Sequence, residues 1–286
     1  MSGGAALIWL AMVGITLYSV RARPEAQSRR RTALLIIVGG AVVPTVVLTA
    51  LLVYGLALLP ELLAPAPAGS LRIAVTGEQW WWRVRYVTPE GVAVELANEV
   101  HLPLGETTDF RLDSADVIHS FWIPSLGGKI DMFPGRTTRL SLQATRTGIF
   151  RGVCAEYCGT AHALMNFYAV VQERADFDRW LAHQAQPARI PTEPLAVRGQ
   201  ELFLGNGCGA CHAVRGTAAK GVVGPDLTHV GSRQSIGGGI LPNDPANFQR
   251  FISHTDVVKP GVTMPSFGML PQENLQALAA YLAALK

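Results

Sequence analysis

Two long stretches near the start of the chain hold no charge. One is Gly3–Val20; the other is Ala33–Leu59, 27 residues. A bilayer core takes about 20 apolar helical residues, so both are predicted to span a membrane, the second with tilt. Pro44 in the second run is tolerable, because a lipid-buried helix re-satisfies the freed carbonyl locally. From Leu71 to Glu173 the apolar period changes to two. Arg72-Ile-Ala-Val-Thr, Val92-Ala-Val-Glu-Leu and Arg139-Leu-Ser-Leu-Gln alternate, and Pro89-Glu-Gly and Pro134-Gly separate such runs. About a hundred residues of short strands predict an all-β sandwich or Greek-key barrel. Asp176–His183 reads as a short helix. After it, Leu195–Leu204 and Pro271–Leu285 carry helical periodicity, the latter through Leu275, Leu278, Ala279, Leu282 and Leu285, with Pro271 in the first turn. Glycine-rich loops with little regular structure are expected between them.

These patterns divide the chain into four parts. A transmembrane helical hairpin occupies 1–63, with spans at about 3–20 and 33–59. A β-domain follows over 70–174, after the short stiff linker Leu63–Ser70. A second linker covers 184–194, and an all-α domain covers 195–286.

Composition adds direction. The apolar fraction is 49% and the mean hydropathy +0.25, with the excess in the two spans. The net charge is +3, but Arg21–Arg31 alone holds five arginines against Glu25. That leaves 19 basic and 20 acidic groups elsewhere, so nothing points to nucleic acid. The arginines place the loop between the spans on the cytoplasmic side. Both termini and everything after the second span then face outward, across a bacterial plasma membrane. An uncleaved anchor is favoured over a removed leader, because the charges follow the first apolar run and no small-x-small site stands out.

Every cysteine belongs to one of two motifs. The first is Cys154-Ala-Glu-Tyr-Cys158-Gly-Thr-Ala-His162-Ala-Leu-Met165, with His119 upstream in Ser-Ala-Asp-Val-Ile-His119-Ser-Phe-Trp. Thiolates suit Cu(I), zinc or iron–sulfur chemistry. A disulfide, a structural Cys2His2 zinc site and a copper-delivery site all compete with a redox copper centre. Met165 weighs against zinc, which rarely takes a thioether. The second motif, Cys208-Gly-Ala-Cys211-His212, fits c-type haem attachment, with both sulfurs in thioether bonds and His212 on the iron. A thioredoxin-like reading needs a βαβ context that this segment lacks. For the second axial ligand, only Met264 and Met269 offer a thioether downstream, and His229 and His254 an imidazole.

Further runs sharpen the reading: Gly77-Glu-Gln79-Trp80-Trp81-Trp82, then Ser114–Asp131 around His119, then Phe133-Pro-Gly-Arg136. With the two-span hairpin, residues 1 to about 180 closely resemble subunit II of the haem–copper respiratory oxidases, the cytochrome c oxidase family. The resemblance implies a binuclear copper centre, CuA, on a cupredoxin-like barrel. By it, Cys154 and Cys158 bridge both coppers, and His119 and His162 bind one each. Met165 is a weak axial ligand, and the carbonyl of Glu156 caps the other copper. The Glu156 carboxylate then reaches an interfacial magnesium ion. Trp80 resembles an exposed residue through which electrons enter, a role that a built-in haem domain could take over. Lys259-Pro-Gly-Val-Thr-Met264-Pro-Ser-Phe resembles the distal-methionine loop of class I cytochromes c, which selects Met264. In that family the proline of Gly224-Pro-Asp-Leu227 lies near the proximal histidine, and Gly199 and Tyr281 mark the contact of first and last helices. Tyr86 and Trp122 are expected in the core, and His101, His183, His229 and His254 at the surface or in loops.

The whole resembles a cytochrome c-fused subunit II of a caa-type oxidase. The resemblance implies a relay from an external donor, such as a cytochrome c or a quinol-oxidising complex, through haem c and CuA to a haem in subunit I. The chain is expected to bind no oxygen itself, since its spans hold no histidine cluster. Relatives often carry a glutamate near the start of the second span. Arg29-Arg30-Arg31-Thr32-Ala33 has none, which argues against a role in proton uptake. A CuA subunit of a nitric oxide reductase would show the same centres. A membrane-anchored copper-delivery protein is the rival of another class, and a quinol-oxidase subunit is disfavoured by the ligand set.

Overall fold

A computed structural model describes residues 2–21, 28–87 and 93–286. The middle of the Arg21–Arg31 loop and the Pro89-Glu-Gly turn lie outside the described residues. The chain divides into two units, Met1–Ala64 and Pro65–Lys286.

The first unit is helical. α1 is Ser2–Arg21. The second apolar run folds as α2 (Arg29–Leu34), a π-helical stretch Leu35–Val42 and α3 (Val43–Leu62). Pro44 has no N–H to give to the preceding turn, and the wider winding lies directly before it. The candidate spans are Gly3–Arg21 and Arg29–Pro60, with mean hydropathies of 1.7 and 2.5 and nothing buried within the chain. Two such apolar N-terminal helices point to a membrane anchor.

The second unit begins with two five-stranded sheets. One has the order β3 (Ala93–Ala97), β2 (Trp81–Val87), β1 (Leu71–Glu78), β5 (Thr107–Ser114), β8 (Thr138–Gln143). The other runs β4 (Glu99–Pro103), β10 (Asn166–Gln172), β9 (Gly148–Cys154), β6 (His119–Trp122), β7 (Ile130–Met132). The pairs β1–β5 and β4–β10 are parallel, which gives the crossed connectivity of a cupredoxin-like barrel. Alternation along β1 sends Ile73 and Val75 inward, and β5 adds Phe110 and Leu112. Trp82 is fully buried between the sheets, edge-on to Phe121 and Phe167. The ring of His119 lies 6.1 Å from Trp82, so the histidine of the first motif rests on this aromatic core.

α4 (Arg174–Gln184) closes this domain, with Phe177 and Trp180 against Tyr86. Residues 185–193 then run back along the helical domain. Ala188 N–H donates to Arg215 O, and the Arg215 guanidinium holds Gln184 O and Asp226. The helical domain has α5 (Pro194–Gly205), α6 (Cys208–Cys211), a hairpin of β11 (Ser235–Ile236) and β12 (Leu241–Pro242), α7 (Pro245–Ser253), α8 (Thr255–Val258) and α9 (Gln272–Ala284). α5 and α9 cross closely, and Phe203 meets Tyr281 at 5.5 Å. Three sequence expectations need correction here. The 205–271 stretch contains α7, α8 and a hairpin rather than loops alone, because Asp244 caps α7 through Asn247 N–H and Pro245 starts it. Pro271 is the N-cap of α9 and not part of its first turn. His101 is buried within β4, and His229, though in a loop as expected, is buried too. His101 bonds Glu99 at 2.8 Å and stacks on Trp180, and His229 donates to Gln186 O.

The two domains of this unit touch directly. Arg83 Nη2 donates to Val222 O at 2.9 Å, Gln234 N–H to the Glu99 carboxylate at 2.7 Å, and Asn166 N–H to Gly238 O at 3.0 Å.

Candidate copper and haem centres

The first centre is built where β6 and β9 end together. Pairing of Phe121 with Cys154 aligns the two strands, which brings His119 and Cys154 to one end of the sheet. The loop after Cys154 folds back, closed by Cys154 N–H to Met165 O, and a short 3-10 turn carries His162. Cys154 Sγ and Cys158 Sγ lie 3.7 Å apart, too far for a disulfide. His119 Nδ1 is 3.8 Å from Cys154 Sγ, and His162 Nδ1 is 3.5 Å from Cys158 Sγ. Met165 Sδ is 3.8 Å from Cys158 Sγ, and Glu156 O is 3.3 Å from Cys154 Sγ. Ligand atoms around a metal at its usual bond lengths stand roughly 3.3–3.8 Å from one another. Every one of these separations falls in that interval, so the residues present fit a sulfur-bridged metal centre. The donor atoms of His119, Cys154 and Cys158 are all within 4.8 Å of one another.

Electrostatics fit the same use. The hydrogen bond with Cys158 draws the Cys154 thiol well below its usual range, against its burial. The same contact, with burial, pushes Cys158 up. The pair therefore releases one proton readily and holds the second until a cation replaces it. Burial works to lower His119, yet hydrogen bonds with Cys154 and Asp116 raise it overall. Asp116 was not singled out by sequence reasoning. Its Oδ1 accepts from His119 Nε2–H at 2.8 Å, which turns Nδ1 and its lone pair toward the thiols. A carboxylate three residues before a lone histidine was the available signal. Gln79 was missed too: its amide, like Trp80 Nε1–H, donates to Cys158 O, at 2.7 and 2.9 Å. The Glu156 side chain is exposed, as is Tyr157 beside it.

Trp80 is only 6% exposed. The expectation of an exposed aromatic at this position is corrected: the helical domain lies over it. Trp80 and Trp82 are both buried, while Trp81 is half-buried under the Arg83 guanidinium.

The second centre surrounds a cavity of about 570 Å³. Cys208, Cys211, His212, Met264, Phe248 and Trp80 are among its walls. The single turn α6 puts Cys208 and Cys211 on one face, and His212 follows immediately. His212 Nδ1–H donates to Pro225 O at 2.8 Å, and burial lowers its pKa. The ring is thus neutral with Nε2 bare, the tautomer that an iron ligand requires. A large apolar cavity with two thiols, a bare imidazole nitrogen and a thioether on its walls fits a haem. Met269, the other thioether, is 77% exposed and outside the cavity.

Comparison with known proteins follows this division. Residues 88–173 match the family described as the periplasmic domain of cytochrome c oxidase subunit II, and residues 196–286 match the cytochrome c family. The first implies copper and the second haem. Cytochrome c oxidase subunit 2 of Alkalihalophilus pseudofirmus is 41% identical over 217 residues, 76% of this chain and 62% of that protein. The subunit 2 of Bacillus sp. strain PS3 is 35% identical over 226 residues, 75% of this chain and 62% of that protein. The chain thus spans a little over three-fifths of the length of these relatives. The crystallised periplasmic domain of subunit II of cytochrome oxidase (CoxB) of Bradyrhizobium japonicum is 33% identical. It covers 42% of this chain and 96% of its own, at a TM-score of 0.39.

Proposed function

The chain belongs to the cytochrome c oxidase subunit II family, and from that premise we propose that it is the electron-input subunit of a terminal haem–copper oxidase. In this reading electrons come from an external donor, pass haem c and binuclear CuA, and leave to a haem in subunit I, where oxygen is reduced to water. The arginine-rich loop orients the anchor with both domains on the outer, periplasmic side.

One observation carries the reading. Trp80 donates to Cys158 O in the copper loop and also walls the cavity of His212 and Met264. Two candidate redox sites are thereby held within one compact unit, with an aromatic ring between them.

When bound, the two groups supply one-electron carriers whose ligand bonds need change little on reduction. Cys208 and Cys211 would hold the haem covalently, and His212 and Met264 would ligate its iron. His119, Cys154, Cys158, His162, Met165 and the Glu156 carbonyl would hold the coppers. The chain's own task is rigidity. Asp116 fixes the His119 ring, Pro225 O fixes the His212 ring, and Gln79 and Trp80 pin the Cys158 peptide. Ligands that cannot move keep the reorganisation barrier small. Met165 is fully buried and fills its site, so Met165→Leu should keep both coppers but shift their potential and slow transfer. Unchanged potential and kinetics, read by redox titration and stopped flow, would remove Met165 from the ligand set. The exposed Glu156 carboxylate is free to meet a magnesium ion at the contact with subunit I.

The deciding experiment is oxygen consumption by the affinity-purified intact complex under an artificial one-electron reductant, with nitric oxide consumption as control. Rapid oxygen uptake supports the terminal-oxidase reading. Nitric oxide turnover without oxygen uptake transfers the same relay to a nitric oxide reductase. A purified chain without paired copper would leave a copper-delivery role.

A further inference from the structure

Lys259 is buried, at 3% exposure, yet its ammonium has no carboxylate partner among the described residues. Nζ donates to Gly237 O at 2.6 Å, and no other hydrogen bond of its three donors is formed within the described residues. An ammonium taken out of water at a cost of several kcal/mol needs nearby negative charge. Its surroundings place it beside backbone oxygens of the copper loop. A methyl placed on Gly238 would stand 2.7 Å from Lys259 Nζ and 3.5 Å from both Leu164 O and Asn166 O. The ammonium therefore lies on the seam between the helical domain and the backbone that flanks Met165. Burial draws its pKa down to about 7, so the ammonium stays charged only where negative charge is held beside it. Lys259 is also a wall of the cavity that holds His212 and Met264.

The rest of its loop is fitted to the same seam. Gly261 has φ +84°, and a methyl there would stand 2.9 Å from the Trp80 ring. Only glycine lets the 259–264 segment lie flat on that tryptophan. Asn166 N–H bonds to Gly238 O from the copper side.

We propose that Lys259 is a positioning residue shared by both redox sites: one buried cation that seats the 259–264 loop against the copper loop and favours the electron on each side of the seam. The inference rests on the reading of the two sites as copper and haem centres. On the cavity side, a bound haem would bring carboxylate groups into the cavity that Lys259 lines. On the other side it faces the sulfur-rich loop. A fixed positive charge stabilises whichever neighbour gains an electron, by Coulomb's law at short range and low effective dielectric. One lysine would thus set both potentials in the same direction and keep them in step.

The test uses the full chain in its complex, with Lys259→Met and, should that variant fail to assemble, Lys259→Gln. Copper and haem content are measured first. Absence of either from the unaltered protein would overturn the two-centre reading itself, separately from the role of Lys259. With both centres loaded, spectroelectrochemical titration should show both potentials moving negative, on the order of a tenfold loss in each reduction equilibrium. Absorption bands should stay unchanged, because no ligand is removed. A fall at the haem alone would make Lys259 a haem-carboxylate partner and overturn the shared role. Unchanged potentials at both centres would overturn the proposal outright.

Discussion

Cys158→Ser should remove the proposed paired copper centre while leaving the fold and the haem in place. Cys158 Sγ is the common neighbour in the first site, 3.7 Å from Cys154 Sγ, 3.5 Å from His162 Nδ1 and 3.8 Å from Met165 Sδ. A serine hydroxyl is a hard, weakly acidic donor and cannot replace a thiolate between two soft metal ions. Loss of a supporting partner such as Asp116 typically costs roughly 10–100-fold in metal affinity. Loss of a bridging sulfur should exceed that, so metal analysis should find at most one copper per chain. Transfer out of the haem domain, followed by stopped flow after rapid reduction, should then stop. The backbone at this position should hold, because Gln79 and Trp80 grip the carbonyl and not the thiol. Glu156→Gln is the contrasting variant: its carbonyl is unchanged, so copper should stay. Two coppers per chain and unimpaired transfer in Cys158→Ser would end the bridging assignment.

Most of the candidate site residues stand out in the sequence because they cluster locally, whereas His119 and Met264 reach the two clusters only through the fold. Four donors fall between Cys154 and Met165, and three between Cys208 and His212. Such residue types at such spacings have few other uses. The period-two pattern likewise marked the β-domain, and two uncharged runs marked the anchor. What stayed illegible is tertiary. Arg83 and Val222, or Glu99 and Gln234, meet across more than a hundred residues, and no periodicity announces their pairing. The seating of one domain on the other follows from those contacts, and so does the burial of Trp80. His101 failed as a surface residue for a related reason. A lone histidine is expected at the surface or in a loop, but Glu99 and the Trp180 ring from α4 give it a buried place in β4. Nothing in the sequence marks Lys259 as buried; the fold closes over it.

Gly199→Ala should destabilise the helical domain by about 2 kcal/mol, although the same change in an open helix stabilises by up to about 1 kcal/mol. The sign is decided by what a methyl would meet. At Gly199 it would stand 2.0 Å from Ala277 O and 2.7 Å from Tyr281 Cβ, both on α9. The first of these is backbone, which no rotamer change can clear. α5 and α9 must separate, and the Phe203–Tyr281 contact and the packing of Leu278 and Leu282 loosen with them. Gly205, at the end of the same helix, has nothing within 4 Å of its added methyl. Gly205→Ala should therefore be neutral or mildly stabilising, and it controls for helix propensity. For a domain near 100 residues, about 2 kcal/mol corresponds to a fall in Tm of roughly 8–16 °C. Thermal unfolding of the full chain, followed by haem absorbance, would read it. The copper absorbance reports the β-domain, whose core is a separate cluster, and its loss should track the haem transition only as far as the contacts between the two domains couple them. An unchanged haem transition in Gly199→Ala would mean that the first and last helices do not bear the stability of this domain.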